Sequence, residues 1–231
     1  MPFAFSHPAL VIPLLRAQRR FSWLPDTGLI AGSIAPNFEK FFRLHLASQH
    51  SHTVASIFYF SLPVPAALAF VFHLVVRGPL LAHLPAWLQR RVGKYAGLDW
   101  LAHFCQHHGG VLLSIVLGAV SHLLWDSFTH PNALTRSLPG GSMLVHLGGR
   151  ELDVYRLSGV VNSVLGGLAI AWCVGRMPQP AGGGGVPNRA SPRAYWGLVA
   201  LVAGAGLVQW LLVANSRWIA FGITAMSALM G

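Results

Sequence analysis

Acidic residues are almost missing from this chain. Six Asp and Glu stand against sixteen Lys and Arg, the formal net charge is +10, and charged residues of both signs make up only 10% of 231 residues. Soluble globular domains carry about 25%, so this chain has too few charges to cover a water-facing surface. With 54% hydrophobic residues and a mean hydropathy of +0.55, the composition is that of an integral membrane protein. The positive excess does not argue for nucleic acid as a partner. The basic residues stand in short clusters between apolar runs, where they set topology and meet lipid headgroups. Cysteine is scarce too: Cys105 and Cys173 lack metal-type spacing, neither needs a disulfide, and Cys173, inside an apolar run, is expected as a small core residue. The chain holds no G-x-S-x-G elbow, Walker loop or GxGxxG, which leaves no sign of a serine hydrolase or nucleotide enzyme. Nor do residues 1–20 make a signal peptide, since their positive charges follow the apolar part and no small-x-small site comes after it.

What is there is long apolar sequence. Residues 53–76, 110–129, 158–174 and 195–214 each approach the ~20 residues of a helical span. Residues 3–15, 27–38 and 218–230 are apolar but shorter, and Pro8, Pro13, Gly32 and Pro36 interrupt the first two. Such pieces are tolerated at membrane depth where they pack against protein or line a cavity. The expected fold is all-α: a polytopic transmembrane helix bundle of four long spans plus two or three short apolar helices. Residues 1–175 form a membrane domain, 176–194 a Gly/Pro-rich inside loop, and 195–231 the C-terminal membrane helices.

Basic clusters orient the bundle. Arg16, Arg19 and Arg20, then Arg77, Arg90, Arg91 and Lys94, then Arg176, Arg189 and Arg193 all fall on the inside if the chain crosses at every segment. The N-terminus then faces out. His7, Asn37, His45, His50, His52, Asp126 and His130 come near the outer ends of their segments, with His122 two turns deeper. Trp23, Trp87, Trp100, Trp125, Trp196 and Trp218 are expected in the interfacial belts. His45, His83, His103, His107, His108 and His146 are expected as interfacial polar residues, and His73 in helix packing.

The stretch GAVSHLLWDSFTH, residues 118–130, puts ionisable groups inside an apolar run. His122, Asp126 and His130 are spaced i, i+4, i+8, along one helix stripe. Asp126 is the one acidic residue in the strongly hydrophobic runs, and a carboxylate there needs a metal, a histidine or a water-filled cavity. Imidazole with carboxylate suits zinc, iron or manganese. Gln49-His50-Ser51-His52 and His7 could add donors. The plainer alternative is a buried His–Asp hydrogen bond that stabilises the bundle. Ser6, Ser51 and Ser121 each precede a histidine, but neighbours on a helix do not face each other, so these pairs are weak evidence for nucleophilic catalysis.

The segments MPFAFSHPALVIPLL, GSIAPNFEKFF, SHTVASIFYFSLP, FHLVVRGPLLAHLP and GAVSHLLWDSFTHP, in that order from residue 1 to about 168, resemble the domain-of-unknown-function 4184 family of bacterial multi-pass membrane proteins. The pattern is also similar to a wider group labelled membrane-bound metal-dependent hydrolases. That resemblance implies a divalent metal, zinc first, held by His7, His52, His122 and Asp126. It implies hydrolysis of a lipid-like ester or phosphoester at the outer face of the bacterial inner membrane, in contact with the lipid bilayer. Asp126, His130 and Asn37 would be the catalytic groups, His130 as a further ligand or proton shuttle and Asn37 orienting substrate. The group's usual aspartate after Ala-Pro is Asn37 here, and an amide is a much poorer ligand than a carboxylate. Three outcomes follow: weaker metal binding, transfer of the ligand role to Glu39, or loss of catalysis. The competing reading is a non-enzymatic scaffold or transporter with a structural His–Asp cluster. Oligomeric state is not legible.

Overall fold

Prolines and caps decide where the apolar runs become helices. The computed structural model describes residues 4–17, 25–43, 50–129, 144–147, 150–179 and 191–229. A 3-10 segment, Ala4–Val11, with Pro8 inside it, leads into α1 (Ile12–Ala17). Then α2 (Asp26–Ile34), a 3-10 turn (Ala35–Asn37) and α3 (Phe38–Arg43) follow almost without a break.

The next apolar run is one interrupted span. Thr53 and Ser56 open it with a reciprocal pair of bonds, Ser56 N–H to Thr53 Oγ1 at 3.1 Å and Thr53 N–H to Ser56 Oγ at 3.2 Å. After α4 (Ser56–Tyr59) the helix breaks ahead of Pro63, which has no N–H to give the preceding turn. It resumes as α5 (Pro63–Val71), widens to a π-helical turn (Phe72–Val76), and ends as α6 (Arg77–His83). The short helix α7 (Ala86–Val92) follows.

Helix α8 (Trp100–Thr129) starts ten residues before the expected apolar run. Asp99 explains the difference: its carboxylate accepts the Ala102 N–H at 3.0 Å and caps the helix. The helix bends at His107, where φ is −127° and ψ is 21°. Strands β1 (Leu144–Leu147) and β2 (Arg150–Asp153) form an antiparallel hairpin, the one departure among the described residues from an all-helical chain. The last elements are α9 (Val154–Gly175) and α10 (Pro192–Leu229).

Three helical segments among the described residues are long and apolar enough to cross a membrane: Ser56–His83, Trp100–Thr129 and Leu157–Gly175. That is one fewer than the four expected. The fourth run, 195–214, lies within α10, whose first turn carries Arg193 and whose side chains are described only as far as Leu212. The three segments leave large apolar side chains uncovered, among them Leu74, Val75, Val160, Leu165 and Leu168. The loop at 182–185 lies outside the described residues.

The centre of the fold is the crossing of α2 and α8, its most extensive helix–helix contact. Gly28 and Gly32 on α2 face Ser114 and Gly118 on α8, a small-xxx-small pairing that lets two backbones touch. A Cβ on Gly28 would sit 2.6 Å from Ser114 Cβ and 2.7 Å from Val111 O. On Gly32 it would strike the Ile115 carbonyl, and on Gly118 it would strike Leu29 O and come within 2.7 Å of Ser33 N. The 3-10 segment docks in the same way against α9, where a Cβ on Gly166 would lie 2.8 Å from Ser6.

Trp100 is not in an interfacial belt. It is 2% exposed and packs with Ala69, Val111 and Ile115. His73 stacks on it, with ring centroids 4.2 Å apart, and His73 also meets Thr27 Oγ1 at 2.9 Å and Arg77 Nη1 at 3.1 Å. The packing role expected for His73 therefore stands. Arg77 Nη2 donates to the Leu98 carbonyl at 2.7 Å. Nearby, the Tyr95 hydroxyl donates to Asp26 Oδ2 at 3.1 Å. Burial, then the Asp26 charge and this hydrogen bond, push the Tyr95 hydroxyl up to about 12.

Candidate metal centre

Four side chains from three segments of the sequence converge at the end of α8 far from Trp100. Helical spacing puts His122 and Asp126 one turn apart, with His122 Nε2 3.2 Å from Asp126 Oδ2. The 3-10 segment supplies His7, whose Nε2 lies 3.2 Å from Asp126 Oδ1. The turn before α4 supplies His52, whose Nε2 lies 3.2 Å from Asp126 Oδ2. The side chains of His7, His122 and Asp126 are 1%, 0% and 8% exposed, whereas His52 is 20% exposed. His52 is thus the most exposed of the four. The His7 and His122 rings stack with centroids 4.0 Å apart, and His52 meets His122 edge-on at 5.5 Å.

The outer hydrogen bonds fix the tautomers. His122 Nδ1 lies 2.7 Å from the Ser33 carbonyl, which can only accept, so Nδ1 carries a proton. Ser51 Oγ donates to the Pro36 carbonyl at 2.8 Å, so it accepts from His52 Nδ1 at 2.9 Å. Both Nε2 atoms are thereby turned toward the Asp126 carboxylate. His122 Nε2 is fully buried, close to that carboxylate, and without a hydrogen-bond partner among the described residues. A lone pair aimed at an anion is repulsive.

His7, His122 and Asp126 offer donor atoms within 4.8 Å of one another and can hold a metal ion. A tetrahedral ion with bonds of about 2.0–2.1 Å spaces its ligand atoms about 3.3 Å apart. The 3.2 Å separations around Asp126 match that spacing. Imidazoles whose other nitrogen donates to a carbonyl or hydroxyl are the usual form of metal-ligating histidine.

A family model described as Domain of unknown function (DUF4184) matches residues 1–230. The chain belongs to this family. No curated protein and no solved structure matches it.

In this DUF4184 member, residues that the sequence reading left peripheral build the support of the centre. Glu39, the alternative ligand suggested by its place after Asn37, is engaged by backbone amides. It is 2% exposed, and its carboxylate accepts the Ser51 N–H at 2.7 Å and the His50 N–H at 3.1 and 3.2 Å. It holds the turn that presents His52. Asn37 closes the 3-10 turn between Pro36 and Glu39, the two residues that grip Ser51. Ser51 and His52 do face each other, contrary to the helix-based expectation, because residues 50–55 form turns and bends. The Ser33 carbonyl had no signal of its own in the sequence, although the Gly28-x-x-x-Gly32 pair just before it marks the close helix contact that delivers it. His130 and His45 lie outside the described residues. His83, expected at an interface, stacks on Tyr195 with centroids 4.2 Å apart.

Proposed function

We propose that this DUF4184 protein is a multi-pass membrane metalloenzyme, a hydrolase of lipid-like esters or phosphoesters. The observation that carries it is the convergence of His7, His52 and the buried His122 on Asp126, each Nε2 3.2 Å from the carboxylate, with His122 held by the Ser33 carbonyl in the tautomer that ligates. His7, His52, His122 and Asp126 are the ligand set, and nitrogen with carboxylate oxygen suits zinc first, then iron or manganese. A bound divalent ion would supply Lewis-acid polarisation of the scissile group and a lowered pKa for an attacking water.

The chain's own residues do the rest. Ser33 and Ser51 orient the imidazoles, and Glu39 fixes the His52 turn. His52, the most exposed of the four, marks where substrate arrives. Asn37, a neutral amide, is assigned to substrate orientation, and His130, the residue next in the i+4 series, to proton transfer. The lipid-like substrate class rests on the surroundings: Phe5, Val54, Phe58, Leu124 and Phe128, neighbours in sequence of the four ligands, are all exposed and apolar. The uncovered apolar side chains of the three long helical segments favour the bilayer as their solvent. The positive-inside distribution then sets the N-terminus and the metal centre toward the outer face.

The transporter reading needs a continuous polar path between the His7–Asp126 cluster and the His73 cluster. Between them lies the Gly28, Gly32, Gly118 seam, where backbone meets backbone, and this disfavours such a path.

The test is metal content of the detergent-purified full chain by mass spectrometry, after loading with zinc, iron or manganese in turn. Hydrolysis of synthetic lipid esters and phosphoesters is then followed. Near-stoichiometric metal with metal-dependent turnover is expected. Stoichiometric metal with no turnover on either class would remove the hydrolase and leave a metal-stabilised scaffold. No metal with any ion would remove both. The outer bonds give a graded check: Glu39→Gln and Ser51→Ala should each weaken metal affinity about 10–100-fold by titration against a chelating dye, and unchanged affinity in both would refute their positioning role.

A further inference from the structure

At the opposite end of the bundle, arginines from two separate parts of the chain flank one tryptophan, and a third reaches the end of the same helix. The Arg16 guanidinium carbon, from α1, lies 4.8 Å from the centre of the Trp172 ring, and that of Arg176, just past α9, lies 5.5 Å from the same ring. Arg91, from α7, donates through Nε and Nη2 to the Gly175 carbonyl at 3.3 and 3.2 Å. Among the described residues no carboxylate pairs with any of these three, and neither Arg16 nor Arg176 has a protein acceptor for its guanidinium. Two like charges sharing one indole repel, and the ring quadrupole offsets this by only about 0.5–1 kcal/mol per cation at an exposed site. The arrangement leaves both guanidiniums exposed and open to an anion.

We infer that this end of the fold binds the headgroup phosphate of an anionic phospholipid between Arg16 and Arg176, with the acyl chains lying along α9. Guanidinium is the side chain suited to phosphate, because its planar fork can give two parallel hydrogen bonds. The acyl path is what favours a lipid over a free anion. From Trp172 back along α9, Leu168, Leu165 and Val164 are more than half exposed and form an apolar strip leading away from the arginines. The inference rests on the membrane part of the proposed function and not on the metal. It also gives the inside basic clusters a structural reason to meet, since Arg16, Arg91 and Arg176 come from all three of them.

The test uses the full chain in nanodiscs of phosphatidylcholine alone or phosphatidylcholine with phosphatidylglycerol, followed by native mass spectrometry of the lipid kept on release. Wild type should retain phosphatidylglycerol selectively, and Arg16→Gln and Arg176→Gln should each lower that preference about fivefold. Arg176→Lys, which keeps the charge but not the fork, should fall between wild type and the glutamine variants and provides a milder variant if the glutamines fold poorly. Equal retention of the two lipids by wild type overturns the inference. So does complete displacement of lipid by inorganic phosphate, which would make the site one for a free anion. Metal content measured on the same samples should match wild type, so that loss of lipid selectivity and loss of the metal centre are read separately.

Discussion

Asp126→Ala should abolish metal binding. Its carboxylate is the group that all three imidazoles approach, each at 3.2 Å, and the only negative charge those contacts contain. Without it a divalent ion would face three neutral nitrogens in a buried site with no charge compensation. The loss should exceed the 10–100-fold of an outer hydrogen bond and show as metal content falling from near one ion per chain to near zero. Asp126→Asn keeps the shape and separates charge from packing: it too should lose the metal, while far-ultraviolet circular dichroism stays that of wild type. A stability signature accompanies this. An ion present at a hundred times its dissociation constant adds about 2.7 kcal/mol, so a chelator should lower the melting temperature of wild type and leave both variants where they are. Full metal occupancy in Asp126→Ala would falsify the centre. The same set would then be a buried histidine–aspartate network of structural use alone.

The second large effect is expected at the α2–α8 seam. Gly32→Leu places its first side-chain carbon on the Ile115 carbonyl, and Gly118→Leu does so on Leu29 O and against Ser33 N. The obstacles are backbone atoms of packed helices, which cannot swing aside as a flexible side chain would, so the cost should reach or exceed the upper end of the usual 1–3 kcal/mol for overpacking. Thermal unfolding in detergent would read it. Gly204→Ala, on α10 with nothing within 4 Å of the added carbon, is the control and should stay within about 0.5 kcal/mol of wild type. The seam also carries function. Parting the helices withdraws the Ser33 carbonyl from His122 Nδ1, now 2.7 Å away, and frees that ring to turn. Gly32→Leu protein that still folds should therefore bind metal more weakly as well. A Gly32→Leu protein with wild-type melting and wild-type metal affinity would mean the helices do not cross as described.

Much of this protein was legible in its sequence, for a reason rooted in local physics. Hydropathy and charge are summed along the chain, so the helical character, the long apolar segments and the short basic clusters follow from composition and spacing. His122 and Asp126 were legible as a pair because four residues on a helix make neighbours whatever else the chain does, and a carboxylate in an apolar run demands a partner. The matching of motifs added His7 and His52.

Other features depended on groups distant in sequence. Whether Trp100 lies in a belt or in the core turned on His73 and Phe70 reaching it from the neighbouring segment. Pairwise helix spacing wrongly separated Ser51 from His52, since only the grip of Glu39 and Pro36 on that segment makes it a turn. Glu39 itself carries the same charge whether it ligates or anchors, and its role is set by which backbone amides come to it. The tautomers of His52 and His122 were the least readable of all. They are fixed by a serine hydroxyl bound to a carbonyl fifteen residues away and by a main-chain oxygen eighty-nine residues away. No side-chain code announces either contact. The sequence determined which groups were available and that they lay in apolar surroundings. The tertiary structure alone decided that three imidazoles and one carboxylate meet, with the lone pairs of His52 and His122 turned inward, because that outcome depends on how closely two glycine-bearing helices can approach.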